Sequence, residues 1–318
     1  MRFTIITTFL YFSFFLAQAQ VLEAEKKIKE VNKDTIEGWK IGGILGINFS
    51  QTALVNWSAG GQNSIAVGGL FNLFANYKKG NSAFDNSLDA GFGMIRQGDN
   101  AQFIKSDDKL DITSKYGQFA FKNWYYAGLL NFKSQMAPGY NMPNDSVKIS
   151  DFLAPGYLLI ALGMDYKPSK NLNLFVAPLT GKITFVNNQQ LANVGAFGVK
   201  PAEYDNMGTL LKKGEKMRYE YGGYIRLFFK QSLMDNVTFQ TKLDLFSNYL
   251  NNPQNIDVYW ESLLTLKVNK FITTSVTATL IYDHDIDIPT YNADKTIKSI
   301  GPRTQFKEVL AVGISFKF

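Results

Sequence analysis

The 318-residue chain contains no cysteine, which excludes a disulfide framework, a zinc-ribbon site and a lipid anchor on an N-terminal cysteine. It has a single histidine, His284, so a histidine-based catalytic or metal site has almost nothing to draw on. After the first twenty residues no apolar run approaches the roughly 20 residues that a membrane helix requires. G-x-S-x-G, H-E-x-x-H and P-loop patterns are all missing. A net charge of +6 is mild and its lysines and arginines are scattered, so there is no basic face of the kind nucleic acid needs. Disorder is excluded too, because 14% of the residues are aromatic and the charge is low for the length.

What is present begins with an address. Residues 1–19 carry one arginine, an apolar run and the small-x-small ending Ala17-Gln18-Ala19, the pattern of a cleaved secretory signal. Residues 20–37 are charged and lack proline, and read as a short periplasmic lead-in. From Gly38 to Phe318 the pattern changes to period two, as in strands with unlike faces. Val237, Phe239, Leu243 and Leu245 oppose Thr238, Gln240, Lys242 and Asp244. Val276, Ala278, Leu280 and Tyr282 likewise oppose Ser275, Thr277, Thr279 and Asp283.

Soluble sandwiches also alternate, so length must decide. The stretches run about 12 to 16 residues, against about 5 or 6 for an ordinary strand, and they suit a tilted membrane strand. Short links (KKGNS, KPSKN, VNKF) alternate with long ones near Leu54, Gly98, Pro143, Leu191 to Leu211 and Ile288 to Gly301. Short turns on one side and long loops on the other are the habit of outer-membrane barrels. The expectation is therefore an all-β, transmembrane, antiparallel up-and-down barrel of twelve strands in the cell outer membrane. Trp39, Tyr77, Trp124 and Tyr166 are expected at its periplasmic rim, with Tyr249, Trp260 and Tyr282 near the outer rim.

Phase also sorts the charges. Asp85, Asp89, Lys133, Arg218, Arg226, Lys242, Asp244, Glu261, Lys267 and Asp283 are expected to point into the lumen. Asp111, Lys115, Asp165, Glu220 and Lys307 share that phase. Charges of both signs on adjacent strands suit either ion-pair ladders that fill the barrel or a narrow aqueous path with opposed fields. An enzyme would have to use His284 among Asp283, Asp285 and Asp287, yet His284 has the phase of Leu280 and the neighbouring carboxylates the opposite one.

Two resemblances bear on this. The ending VLAVGISFKF, with Leu310, Val312, Ile314, Phe316 and Phe318 on one face, resembles the C-terminal signal that the barrel assembly machinery recognises in outer-membrane barrels. The segments GWKIGGILGINFSQTALVNWSAGGQNS and VAPLTGKITFV resemble a Bacteroidota barrel family known as domain of unknown function 3078, over Gly38 to Phe318. That resemblance implies location and fold and brings no catalytic or binding residues with it. The first functional expectation is a narrow passive channel or small-solute binder. A structural or interaction barrel with a closed lumen is the second, and a lipid-directed outer-membrane hydrolase the third. Outer-membrane lipid, the assembly machinery and a small solute are the expected partners, with no catalytic residues, cofactor, metal or nucleic acid.

Overall fold

The computed structural model describes residues 37–53, 63–98, 102–140, 146–169, 171–267, 272–292 and 296–314. The secretory signal, the lead-in before residue 37, Phe316 and Phe318 lie outside the described residues.

Twelve strands form one antiparallel sheet in sequence order. They are β1 (Gly38–Thr52), β2 (Ser64–Lys79), β3 (Ser82–Gln97), β4 (Ile104–Phe121), β5 (Trp124–Ser134) and β6 (Gly156–Tyr166). The second half comprises β7 (Leu172–Phe185), β8 (Met217–Met234), β9 (Val237–Asn248), β10 (Ile256–Lys267), β11 (Ile272–Tyr282) and β12 (Gln305–Ile314). The links alternate in length all the way round. Two residues separate β2 from β3, β4 from β5, and β8 from β9, while residues 135–155, 186–216 and 283–304 form the longest links, all at the other end.

The two faces are opposite in character to those of a soluble sheet. On one face Asn72, Asn131, Asp165, Thr180, Thr184 and Gln240 are buried. On the other Tyr126, Leu130, Ile160, Leu162, Leu179 and Ile225 are exposed. A soluble monomer rarely leaves so large an apolar surface uncovered.

The sheet is strongly curled towards its polar face. Strands five apart in a flat sheet would be separated by about 24 Å at the usual strand spacing. Lys133 on β5 nevertheless places its Nζ 4.5 Å from the ring centroid of Tyr259 on β10. Lys182 on β7 likewise reaches Asp283, just beyond β11, at 3.6 Å. Polar side chains therefore meet one another across an interior.

One irregularity positions the site. β7 carries an extra residue around Pro178, for Leu162 pairs with Leu179 but Met164 pairs with Val176. Proline cannot donate to the ladder, which suits it to such a bulge. The bulge presses β7 against Gly163, where a Cβ would stand 2.0 Å from the Val176 carbonyl oxygen. Below the bulge Asn173, Phe175 and Ala177 are buried, and above it Thr180 and Thr184 are. The inward parity has changed.

Aromatic pairs mark both ends. Trp39 with Tyr77 (5.1 Å) and Trp124 with Tyr166 (4.7 Å) lie by the short turns, and Tyr221 with Tyr249 (6.0 Å) by the long links. Trp260 differs from the rim position that its sequence suggests. It sits inside β10, paired with Leu243 and Leu280, and its indole N–H donates to Thr241 Oγ1 at 2.8 Å. A satisfied indole N–H lets tryptophan stand away from water.

Residues 186–216 fold back over the interior. A short helix, α1 (Gln189–Asn193), is capped by Asn188, whose Oδ1 accepts from the Gln190 and Leu191 amides. Val186, Leu191, Ala192 and Val199 bury together with Ala154 of the preceding long link, and Phe197 packs on them. Asp151 joins the two links, accepting from Lys148 Nζ at 2.8 Å and Asn188 Nδ2 at 2.9 Å. The Lys148 hydrogen bond, then that of Asn188, holds the Asp151 carboxyl below the usual carboxylate range. A depressed folded value means that this join contributes fully above the ordinary value near 3.9 and is lost as pH falls through the folded one. Protection factors across 186–192, taken against the intrinsic exchange rate at each pH, should fall on acidification in that range, and in Asp151→Asn they should be low at every pH. Unchanged exchange in the variant would mean that Asp151 does not hold the roof.

Candidate functional site in the charged interior

The inward charges assemble into three layers. Nearest the long links, Lys182 is a hub, with Asp257 at 2.8 Å, Glu220 at 3.5 Å and Asp283 at 3.6 Å. Beside it Arg218 pairs with Glu220 at 2.9 Å and with Asp285 at 3.1 Å, and Arg218 Nη1 lies 3.5 Å from the Gly198 carbonyl of the roof. Three strands and two links thus meet around two cations.

The middle layer is a crossbar. Arg226 grips Asp244 through two of its nitrogens, Nε–Oδ1 at 2.7 Å and Nη2–Oδ2 at 3.1 Å, in the two-pronged geometry that suits guanidinium and carboxylate. Lys242 stands 3.6 Å from the same carboxylate. Lys133 pairs with Asp111 at 4.0 Å, and Asn131 donates to Asp111 at 2.7 Å. The Tyr259 ring receives Lys133 from β5 and, at 5.5 Å, Lys242 from β9, while its hydroxyl donates to Glu261 at 3.0 Å. Cations over a ring face are held by its quadrupole.

Nearest the short turns, Asp165 binds Lys115 at 2.9 Å and Lys167 at 3.3 Å, and accepts from Asn173. Lys167 also reaches Asp85 at 3.8 Å, and Asn72 donates to Asp89.

Two cavities lie either side of the crossbar. The outer one, about 710 Å³, is lined by Tyr157, Lys182, Tyr224, Phe246, Asp257 and Asp283 among others, with Phe197 of the roof at its edge. The inner one, about 160 Å³, is lined by Asp85, Lys115, Lys167 and Lys242. Arg226 borders both. A further cavity of about 610 Å³ lies against the links outside β3 and β4. There Lys105 fills an oxygen nest made by Asp108, Gln135 and the Ala137 carbonyl.

The ten charges singled out by phase fall into this scheme as follows. Arg218 and Asp283 join the outer layer; Lys133, Arg226, Lys242, Asp244 and Glu261 the crossbar; Asp85 and Asp89 the inner layer. Lys267 stands apart, exposed at the short-turn end of β10. Lys182 and Asp257 are central, yet neither was among the charges picked out by alternation. His284 places Nδ1 3.1 Å from the Tyr282 hydroxyl, whereas Asp283 and Asp285 turn to Lys182 and Arg218. The imidazole and those two carboxylates therefore do not converge. Leu310, Val312 and Ile314 pair in register with Val276, Thr274 and Ile272.

A family model described as a protein of unknown function (DUF3078) matches residues 49–140. No curated protein matches the chain. Among solved structures, the chain is similar to the NanC porin at 9% identity, covering 88% of this chain and 100% of that one, with a TM-score of 0.33. The translocator domain of the autotransporter NalP from Neisseria meningitidis has 11% identity, 93% coverage of each chain and a TM-score of 0.37. The ferric-catecholate import receptor Fiu from E. coli K12 has 9% identity, 87% coverage of this chain and 51% of its own, and a TM-score of 0.26.

Proposed function

We propose that the chain is an outer-membrane β-barrel, closed by β12 against β1, which admits a small solute into a chamber on its outer side and restricts onward passage at the crossbar. The alternating link lengths, the exposed apolar outer face and the polar interior support the membrane reading. The chamber of about 710 Å³ above the Arg226–Asp244 pair carries the functional reading. Its volume lies in the range of small-molecule sites. Twelve strands fall between barrels filled by their side chains and barrels that leave an open channel, so the side chains decide the bore.

A lumen closed outright is the second reading, favoured by the Lys133–Tyr259 contact that spans β5 to β10. Conductance of the purified protein in planar bilayers separates the two. A narrow path gives small steps, and Arg226→Ala with Asp244→Ala enlarges them several-fold. Silence in both proteins would leave a blind pocket and remove the channel.

A further inference from the structure

The three layers differ in charge balance. In the crossbar Lys133, Arg226 and Lys242 are matched by Asp111, Asp244 and Glu261. In the inner layer Lys115 and Lys167 meet Asp85 and Asp165, with Asp89 bonded to Asn72 as one further carboxylate. In the outer layer only Lys182 and Arg218 face Glu220, Asp257, Asp283 and Asp285, so two formal negative charges are uncompensated. Asp108, which also lines the chamber, is neutralised by Lys105 at 2.9 Å.

We propose that the outer chamber selects a small organic solute carrying positively charged amino groups, with Asp257 and Asp283 as its recognition residues. This rests on the reading of the chamber as a solute site. Three observations carry it. Asp257 and Asp283 line the chamber, and each gives one oxygen to Lys182; Asp283 Oδ1 also accepts from the Asp285 amide at 2.9 Å, so Asp257 Oδ1 offers most of the acceptor capacity for a second ammonium. Behind them the Glu220 side chain is 1% exposed, and both of its cation partners, Arg218 and Lys182, meet the same oxygen, Oε2, so Oε1 is left without a donor. A buried acceptor left without a donor is costly, and extra positive charge nearby lowers that cost. The chamber wall also already receives ammonium groups on its ring faces, with Lys182 Nζ 4.9 Å from Phe246 and Lys133 Nζ 4.5 Å from Tyr259. An alkylammonium solute meets the same kind of surface. A low-dielectric wall focuses the excess field into the cleft.

Equilibrium binding to the detergent-solubilised full chain tests this, with spermidine, glucose and gluconate as probes. Spermidine should bind at least about tenfold more tightly than gluconate, the direction set by the field of the chamber. Raising the salt should weaken spermidine and leave glucose unmoved. In Asp257→Asn/Asp283→Asn, checked for folding by heat-modifiable migration on gels, the preference for spermidine should collapse. If that variant does not fold, the salt series on the unmodified protein decides alone. Equal binding of spermidine and gluconate, or a preference indifferent to salt, overturns the cation proposal while leaving the chamber as a solute site. Binding of none of the three, together with silence in bilayers, defeats the solute site itself.

Discussion

Arginine introduced at Leu245 or Leu280 should destabilise the protein by about 2–4 kcal/mol in lipid vesicles, whereas arginine at Thr113 should cost much less. Leu245 lies between the inward-facing Asp244 and Phe246, so its own side chain leaves from the other face. Leu280 pairs across the sheet with Trp260 and Phe306, and Phe306 is among the exposed apolar residues. A guanidinium there would enter hydrocarbon. Thr113 lines the inner cavity 3.4 Å from Asp111, where an added guanidinium finds a carboxylate. Urea titration of each variant, reading the folded and unfolded bands on gels, supplies the comparison. Equal penalties at all three positions would mean that the outer face does not meet lipid.

The crossbar gives the second large effect. Asp244→Ala leaves Arg226 in the interior without its two-pronged partner, and breaking a buried pair from one side costs about 3–5 kcal/mol. Replacing both partners by apolar residues, Arg226→Met with Asp244→Leu, should be close to neutral, because no orphaned charge remains. The same titration on Arg226→Met, on Asp244→Leu and on the double variant yields the coupling directly. A penalty under about 1 kcal/mol for Asp244→Ala, the level of an exposed pair, would show that water already reaches the crossbar.

Much of this architecture could be read from the sequence, and the limits are specific. Alternation marks strands such as Val237–Asn248 and Ile272–Tyr282, because in a sheet with unlike faces every second side chain has the same fate. It also grouped Asp85, Arg226, Asp244 and Asp283 on one face. It could not say which of them meet, since contacts such as Lys133 with Tyr259 depend on curvature that no strand encodes alone. Lys182, the hub of the outer layer, escaped for a local reason: the bulge at Pro178 reverses the parity of β7, so a phase carried up from Phe175 points the wrong way. Asp257 stands in phase with Tyr259 and Glu261 but falls at the first turn of its strand, where a charged residue reads as part of a link. The folded roof of residues 186–216 had no periodic signal, since its order comes from Asn188, Asp151 and a small buried cluster.

The bulge has one further consequence, for how this gene tolerates change. Insertions and deletions in barrels are ordinarily absorbed by long loops, where length is cheap. In β7 a single residue acts instead as a punctuation mark between two half-strands of opposite phase. Loss of one residue between Ala177 and Thr180 would restore an unbroken alternation to the strand. Both half-strands would keep their faces, with Ala177 and Thr180 then two positions apart and Lys182 still inward, whereas loss of a residue between Thr180 and Lys182 would carry Lys182 outward. In that second case the protein would keep nearly its whole composition and every other strand, yet lose the cation on which three carboxylates lean. Length is thus more freely changed at the bulge than in the half-strand beyond it.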